Sequence, residues 1–378
     1  TDDAWKAATC STLWTIPKVE GTRFLPHLAP GTIITDELGR TQVNTYQPVT
    51  VHRIPGDPSP FLNHLAIMIP DAGDRRLLLD WMAHNIKYPG YKVPWAPVIQ
   101  SAEGIGKNTL KTVLMHCIGA TYLHQPKASD LLANGSKFNG WMKSKLMILV
   151  DEIKVDDRRD LIDVLKTYIS ETQVESQSKG VDQKMEDNYA NWIAFTNHKD
   201  AVPVNKNGRR FAIFYSPLQS AEDITARNLD DDYFANLYGW LHADGAAIMA
   251  HWFADYQIER GAISMRAPKT TSWAEAIEIG LGPVARAIKD AVDAELPGFR
   301  DGWISTGAVA RILRAAGRGE PATNTVSSAI GEVGAYHRIG QAGRGWVQDN
   351  PDKPSRPVLY HMDAKADVAD FGRAQGYI

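Results

Sequence analysis

The sequence predicts an α/β fold organised around a phosphate-binding loop, and three observations support that expectation. The apolar run Ala96-Pro97-Val98-Ile99 leads through Ser101-Ala102-Glu103-Gly104-Ile105-Gly106-Lys107-Asn108-Thr109 into the helix-like Leu110-Lys111-Thr112-Val113-Leu114-Met115. Further apolar runs of buried-strand length stand at Leu146–Val150, Trp192–Thr196 and Phe211–Tyr215. Polar groups sit at their ends: Asp151-Glu152 after the first, Asn197-His198 after the second, and Gly208-Arg209-Arg210 before the third.

A strand, a glycine-bearing turn ending in Gly-Lys and a helix are what a triphosphate needs. Gly104 and Gly106 lack a Cβ and let backbone N–H groups approach phosphate oxygens, the helix N-terminus adds partial positive charge, and Lys107 can reach the β- and γ-phosphates. Residues 101–109, with Glu103, Ile105 and Thr109 among them, are the expected nucleotide-binding segment. The pattern departs from the full motif twice, with Ser101 where glycine is usual and Asn108 where Ser or Thr is usual.

The downstream runs add the remaining chemistry. At a strand's carboxyl edge, Asp151 is placed to hold Mg²⁺ through water and Glu152 to polarise an attacking water. Asn197 offers an amide that can orient that water and sense the γ-phosphate. Arg209 and Arg210 bring two guanidiniums to a strand mouth, and arginine from a neighbouring subunit is a recurrent way to neutralise transition-state charge. Taken singly, these are ordinarily a solvated turn, a cap and surface charge. Their order (phosphate loop, acid pair, polar sensor, arginine) gives them a common reading.

Composition bounds the rest. A chain of 378 residues with 44% hydrophobic content can build two or three domains. A net charge of -3 gives no global basic signature, so any nucleic-acid contact must be local, as in a ring whose cations face a channel. Cys10 and Cys117 supply neither a disulfide framework nor a four-ligand zinc site, which favours a reducing cytoplasm. No signal peptide and no long apolar span is read, so no membrane insertion is expected. The chain begins at Thr1 rather than Met, which reads as a piece of something longer.

Residues 1–60 carry no chemical motif and only short strand-like pieces such as Gln47-Pro48-Val49-Thr50-Val51-His52. Asp71–Ala83 reads as an acid-started helix with Leu78, Trp81 and Met82 in the core. Leu161–Lys166 is helical by period, and Gln173–Lys184 reads as a hairpin around Lys179-Gly180. The aromatics of Tyr233–Leu241 and Ala246–Phe253 read as packing, not as a stacking platform. Beyond Pro268 the pattern changes to helices at Pro283–Val292, Thr306–Arg314 and Asn324–Val333, followed by strand-like Tyr336–Ile339 and Pro357–His361. Three short helices and a β-wing are a winged-helix order, with Arg311, Arg314, Arg318, Arg338 and Arg344 facing either DNA or a neighbouring protein.

Phe138-Asn139-Gly140-Trp141 before the acid pair, Leu165–Glu171 after it, then Lys179-Gly180, Thr196-Asn197-His198 and Arg209-Arg210 together resemble the superfamily 3 helicases. More narrowly, the chain is similar over about residues 60–220 to the primase-associated helicases of phages, plasmids and other mobile elements. That resemblance implies an AAA+ core working as a homo-oligomeric ring, usually a hexamer, with ATP and Mg²⁺ between subunits and single-stranded DNA in the channel. It implies phosphate and metal contacts from Gly104, Gly106, Lys107 and Asn108, with Thr109 the alternative metal ligand. Asp151 and Glu152 would then serve metal and water, Asn197 would be the sensor, and Arg209 or Arg210 the finger. Lys179, with Lys184 second, becomes the expected contact to the DNA backbone.

The implied division is an N-terminal arm or end of an upstream domain (1–60), a helical collar segment (61–95), the AAA+ core (96–220), a helical extension (221–268) and a winged-helix-like domain (269–378). A primase or polymerase domain in the same polypeptide, in a phage-infected bacterial cytoplasm, fits the same resemblance. Two other functions use the same loop: a small-substrate P-loop kinase, and an origin-binding or scaffold protein with little hydrolysis, which the departures at Ser101 and Asn108 would suit.

Overall fold

The computed structural model describes residue 10 and residues 19–126, 131, 140–152, 159–176, 184–319, 322–342 and 356–375. The chain forms two compact units, one of residues 1–202 and 209–273, the other of residues 203–208 and 274–378.

The first unit opens with strands β1 (Gly21–Arg23), β2 (Ile33–Thr35) and β3 (Thr41–Asn44), ordered β1-β3-β2, with β1 parallel and β2 antiparallel to β3. The following Gln47–His52 run joins no sheet, although its alternation reads as a strand. Pro48 has no N–H for a ladder. The run is tied down by side chains instead: Tyr122 Oη donates to Gln47 O at 2.7 Å and His116 Nε2 lies 2.9 Å from His52 O.

Helices α1 (Ser59–Met68) and α2 (Ala72–Lys87) come next. Asp71 caps α2 by accepting from Asp74 N at 2.8 Å, and Leu78, Trp81 and Met82 are fully buried along it.

A parallel five-stranded sheet forms the centre, built from β4 (Ala96–Gln100), β5 (Leu123–His124), β6 (Met147–Val150), β9 (Asn191–Thr196) and β10 (Phe211–Tyr215) in the order β10-β4-β9-β6-β5. All of β4, β6 and β9 is buried, as a sheet covered on both faces requires. Helix α3 (Asn108–Ile118) follows β4 and packs against α2. Helix α4 (Arg159–Ser170) and the antiparallel hairpin β7 (Gln173–Ser176) and β8 (Lys184–Asp187) lie between β6 and β9 in the chain. Helices α5 (Ala221–Ala226), α6 (Asp231–Trp240) and α7 (Ala246–Asp255) complete the unit, with a π-helical turn at Leu241–Gly245 between the last two and α7 against α3.

The sheet order positions the site. Strand β9 is inserted between β4 and β6, so the carboxyl ends of these strands stand side by side although long stretches of chain separate them. The register Gln100↔Thr196 and Val150↔Ala194 places Ser101, Asn197 and Asp151 along one edge. In open parallel sheets, ligands bind outside that edge where the winding changes direction.

The second unit contains α8 (Trp273–Ile279), α9 (Pro283–Asp293), β11 (Trp303–Ser305), α10 (Thr306–Ala315), α11 (Thr323–Val333), β12 (His337–Gln341), β13 (Val358–His361) and α12 (Val368–Gln375). Its sheet is antiparallel in the order β11-β13-β12. Ile288, Phe299, Ile304, Val309, Leu313 and Ile330 fill its core. The sequence pattern missed β11, whose Trp303-Ile304-Ser305 is too short to show alternation and gains its strand character from pairing with β13.

Candidate nucleotide site

A cavity of about 420 Å³ opens at the carboxyl edge of the central sheet. It is lined by Glu103, Gly104, Ile105, Gly106, Lys107 and Asn108 from the loop after β4, Asp151 and Glu152 after β6, Asn197 after β9, and Phe234 and Tyr238 on α6. That volume lies within the roughly 300–1,000 Å³ of small-molecule sites.

The loop's conformation explains its glycines. Gly104 and Gly106 have φ of +78° and +83°, in the left-handed region that L side chains avoid. Around Gly104 there is open space, whereas a Cβ on Gly106 would stand 2.7 Å from His64 Nε2 and 3.1 Å from Phe234 Cε1. Ser101 is not at a positive φ, so that position needs no glycine. Its buried hydroxyl accepts from Lys107 Nζ at 2.8 Å and donates to Ala102 O at 2.7 Å. The serine therefore sits behind the cavity as a lysine support.

Lys107 is the centre of the polar network. Its ammonium donates to Asn197 Oδ1 at 2.7 Å as well as to Ser101 Oγ, and Asn197 Nδ2 donates to Glu103 Oε1 at 3.2 Å. Burial pulls the Lys107 pKa below the ordinary lysine value, while the charges of Asp151, Glu103 and Glu152 oppose that shift. No side chain caps the helix that begins at Asn108; Thr109 N and Leu110 N instead donate to Gly106 O and Lys107 O at 3.0 and 3.2 Å.

Asp151 Oδ2 accepts from Gln125 Nε2 at 3.4 Å, and Asp151 Oδ1 accepts from Glu152 N at 3.1 Å. Gln125 is in turn held by Lys111, whose Nζ donates to Gln125 Oε1 at 2.5 Å. Neither Gln125 nor Lys111 stands in a recognisable motif; only folding brings β5 beside β6 and exposes their role. Glu152 has φ of +54°, an uncommon conformation for glutamate, and its carboxylate is exposed at the cavity.

Asn108 lines the cavity, but Thr109 is fully buried and its hydroxyl donates to Gly106 O at 2.9 Å. The loop thus presents the amide and keeps the hydroxyl for itself. Among the described residues there is no group of three or more His, Cys, Asp or Glu side chains arranged to hold a metal alone. The oxygens of Asn108, Asp151 and Glu152 still fit Mg²⁺, which takes one or two protein ligands and completes its shell with phosphate and water.

Arg209 and Arg210 do not reach this cavity. They precede β10, and the register Phe211↔Ala96 puts them at the opposite, amino end of the sheet, about 15 Å from its carboxyl edge at 3.3 Å per residue. Arg209 is exposed; Arg210 Nη1 lies 3.5 Å from Pro94 O, and burial with the nearby Arg209 charge lowers its pKa. Lys179 lies outside the described residues, and Lys184 is described only through its backbone, which pairs with Ser176.

Phe234 and Tyr238 pack against the core cluster, as their sequence reading expects, and being only part-buried they also form part of the cavity wall, while Leu237 between them is fully carried into the core. A spacing of four on a helix puts two aromatics on one face, but that signal does not say whether the face meets core or cavity.

A family of unknown function (DUF5906) matches residues 99–210, under a third of the chain, running from β4 to Arg210. No curated protein matches significantly. Among solved structures, the apo NrS-1 C-terminal region (305–718) aligns with a TM-score of 0.65 at 18% identity, covering 94% of this chain and 88% of that one. Its A form aligns with a TM-score of 0.64 at 17% identity, covering 95% and 89%. At such identities the shared property is the fold, and it extends over nearly the whole chain.

Proposed function

We propose that the protein is an ATP-driven, ring-forming DNA helicase of superfamily 3 with an AAA+ core, acting in replication of a phage or mobile element. The observation that carries this reading is the convergence of Lys107, Asp151, Glu152 and Asn197 on one cavity beside a left-handed glycine loop. The order of those residues along the chain and the fold shared with the NrS-1 region support it.

Lys107, now held by Asn197 Oδ1 and Ser101 Oγ, is the group that turns to a β- or γ-phosphate when ATP enters. Asn197 is then released from the ammonium and free to orient a water. Glu152 presents an exposed carboxylate that accepts that water's proton as its oxygen attacks the γ-phosphorus in line, while the bond to the β–γ bridging oxygen breaks and ADP leaves. Mg²⁺, held by Asp151 and Asn108, would supply charge neutralisation between the phosphates. Arg209 and Arg210, at the far end of their own sheet, are suited to a neighbouring subunit's cavity and not to their own. The hairpin of β7 and β8, carrying Lys179 and Lys184, is the proposed contact to single-stranded DNA, and the α9–α11 and β11–β13 unit a winged-helix module.

The test is ATP hydrolysis with and without single-stranded DNA, for the wild type and Lys107→Ala. Stimulation by DNA that disappears in the variant supports the helicase. Turnover indifferent to DNA would point to a kinase-like phosphotransferase, and nucleotide binding without turnover to a scaffold.

A further inference from the structure

The cavity has two chemically distinct ends. Every charged lining residue belongs to the loop, acid and asparagine segments, whereas α6 contributes only Phe234 and Tyr238. The two rings lie 6.4 Å apart at 31°, and Tyr238 continues to His242 at 6.2 Å and 24°. Phe234 is fixed from behind, edge-on to His64 at 6.2 Å and 80°. His64 is itself buried and held by Tyr233, whose hydroxyl lies 2.9 Å from Nδ1. A row of rings therefore borders the phosphate loop at Gly106, where Phe234 Cε1 lies 3.1 Å from the position a Cβ would take.

A nucleoside triphosphate with its phosphates on Lys107 has its base some distance further along the same cavity. We infer that α6 is the nucleobase seat, with the base stacked on Tyr238 and Phe234 closing the end nearest the loop. This inference rests on the nucleotide-binding reading of the cavity. Of the lining side chains on α6, only the Tyr238 hydroxyl is polar, so the base is gripped through its π-face and not read through its edge. Such a seat accepts any purine.

Binding of ATP, GTP and inorganic tripolyphosphate, measured by calorimetry on the full chain, tests this. Wild type binds ATP and GTP within about threefold of each other, and tripolyphosphate, which has no base, more weakly. Tyr238→Ala weakens ATP by about 10- to 100-fold, the range of one base–aromatic stack, and leaves tripolyphosphate unchanged. Tyr238→Phe restores ATP binding. Equal ATP affinity in Tyr238→Ala and wild type would overturn the seat, and so would parallel loss of tripolyphosphate, which would make Tyr238 a support of the phosphate loop. A preference above about 30-fold between ATP and GTP would overturn reading by stacking alone. Wild type that binds neither ATP nor tripolyphosphate would instead remove the nucleotide site itself, and the seat with it.

Discussion

At the scale of single residues, the two loop glycines separate strain from collision. Gly104→Ala meets only the left-handed penalty of roughly 1–2 kcal/mol, because nothing stands near the new methyl. Gly106→Ala adds a clash with the buried His64 ring and with Phe234. Urea denaturation should show a larger loss for Gly106→Ala, and nucleotide affinity should fall with it. The Asn108 and Thr109 pair divides similarly. Asn108→Ala should raise the Mg²⁺ concentration needed for half-maximal turnover while leaving the melting temperature in place, and Thr109→Val should lower the melting temperature by breaking the bond to Gly106 O. His64 makes the fold sensitive to acid. Burial pushes its pKa down to about 4 from the ordinary 6.5, so the folded chain keeps it neutral where the unfolded chain takes up a proton. This contribution is complete above about pH 6.5 and is lost as the pH falls toward about 4. Between about pH 7.5 and pH 5, His64→Gln should lose less unfolding free energy than wild type, by about 2 kcal/mol. The sequence displays Lys107, Asp151, Glu152 and Asn197 as strand-end residues, but His64 lies on a helix in a different part of the chain and carries no motif.

At the scale of elements, the placement of β10 turns the arginines away from their own cavity. Subunits carrying Arg209→Ala or Arg210→Ala, mixed with Glu152→Gln subunits, should recover hydrolysis that neither parent shows; a mixture as inactive as its parents would rule out a shared site. The root of the β7–β8 hairpin is fixed by a second network. Lys92 Nζ donates to Tyr168 O at 2.8 Å and Ala190 O at 2.6 Å, and Asn188 Nδ2 donates to Tyr168 O and Glu171 O, both at 2.8 Å. These bonds join the end of α4 to the start of β9 around the hairpin. Asn188→Ala removes the side-chain bonds to Tyr168 O and Glu171 O, of which only the first keeps a donor in Lys92, and at about 0.5–1.5 kcal/mol per bond a lower urea midpoint is the expected readout. The apolar runs announce β4, β6, β9 and β10 because each is long enough and buried on both faces. Short strands such as β1 and β11 are invisible in the sequence, since their few residues become strands only through a partner. Gln47–His52 shows the converse, an alternating run that no strand accepts.

At the scale of the whole molecule, the proposed arginine contribution from a neighbour would require assembly. Sedimentation with a non-hydrolysable ATP analogue should show a ring-sized species that Lys107→Ala fails to form. Among the described residues no helix is long and apolar enough to cross a membrane. The sequence alone determined the chemistry available: a glycine loop with its lysine, two carboxylates, an amide and two guanidiniums, each beside an apolar run. These are local properties, set by residue type and by periodicity within a few positions. Which of them meet was decided only by the sheet. Inserting β9 between β4 and β6 gathers three strand ends at one edge, and parallel pairing of β10 sends the arginines to the other. Pairing of distant strands depends on the burial of whole faces, which no local pattern shows, just as the aromatic spacing of α6 shows packing but not that its rings also wall the cavity.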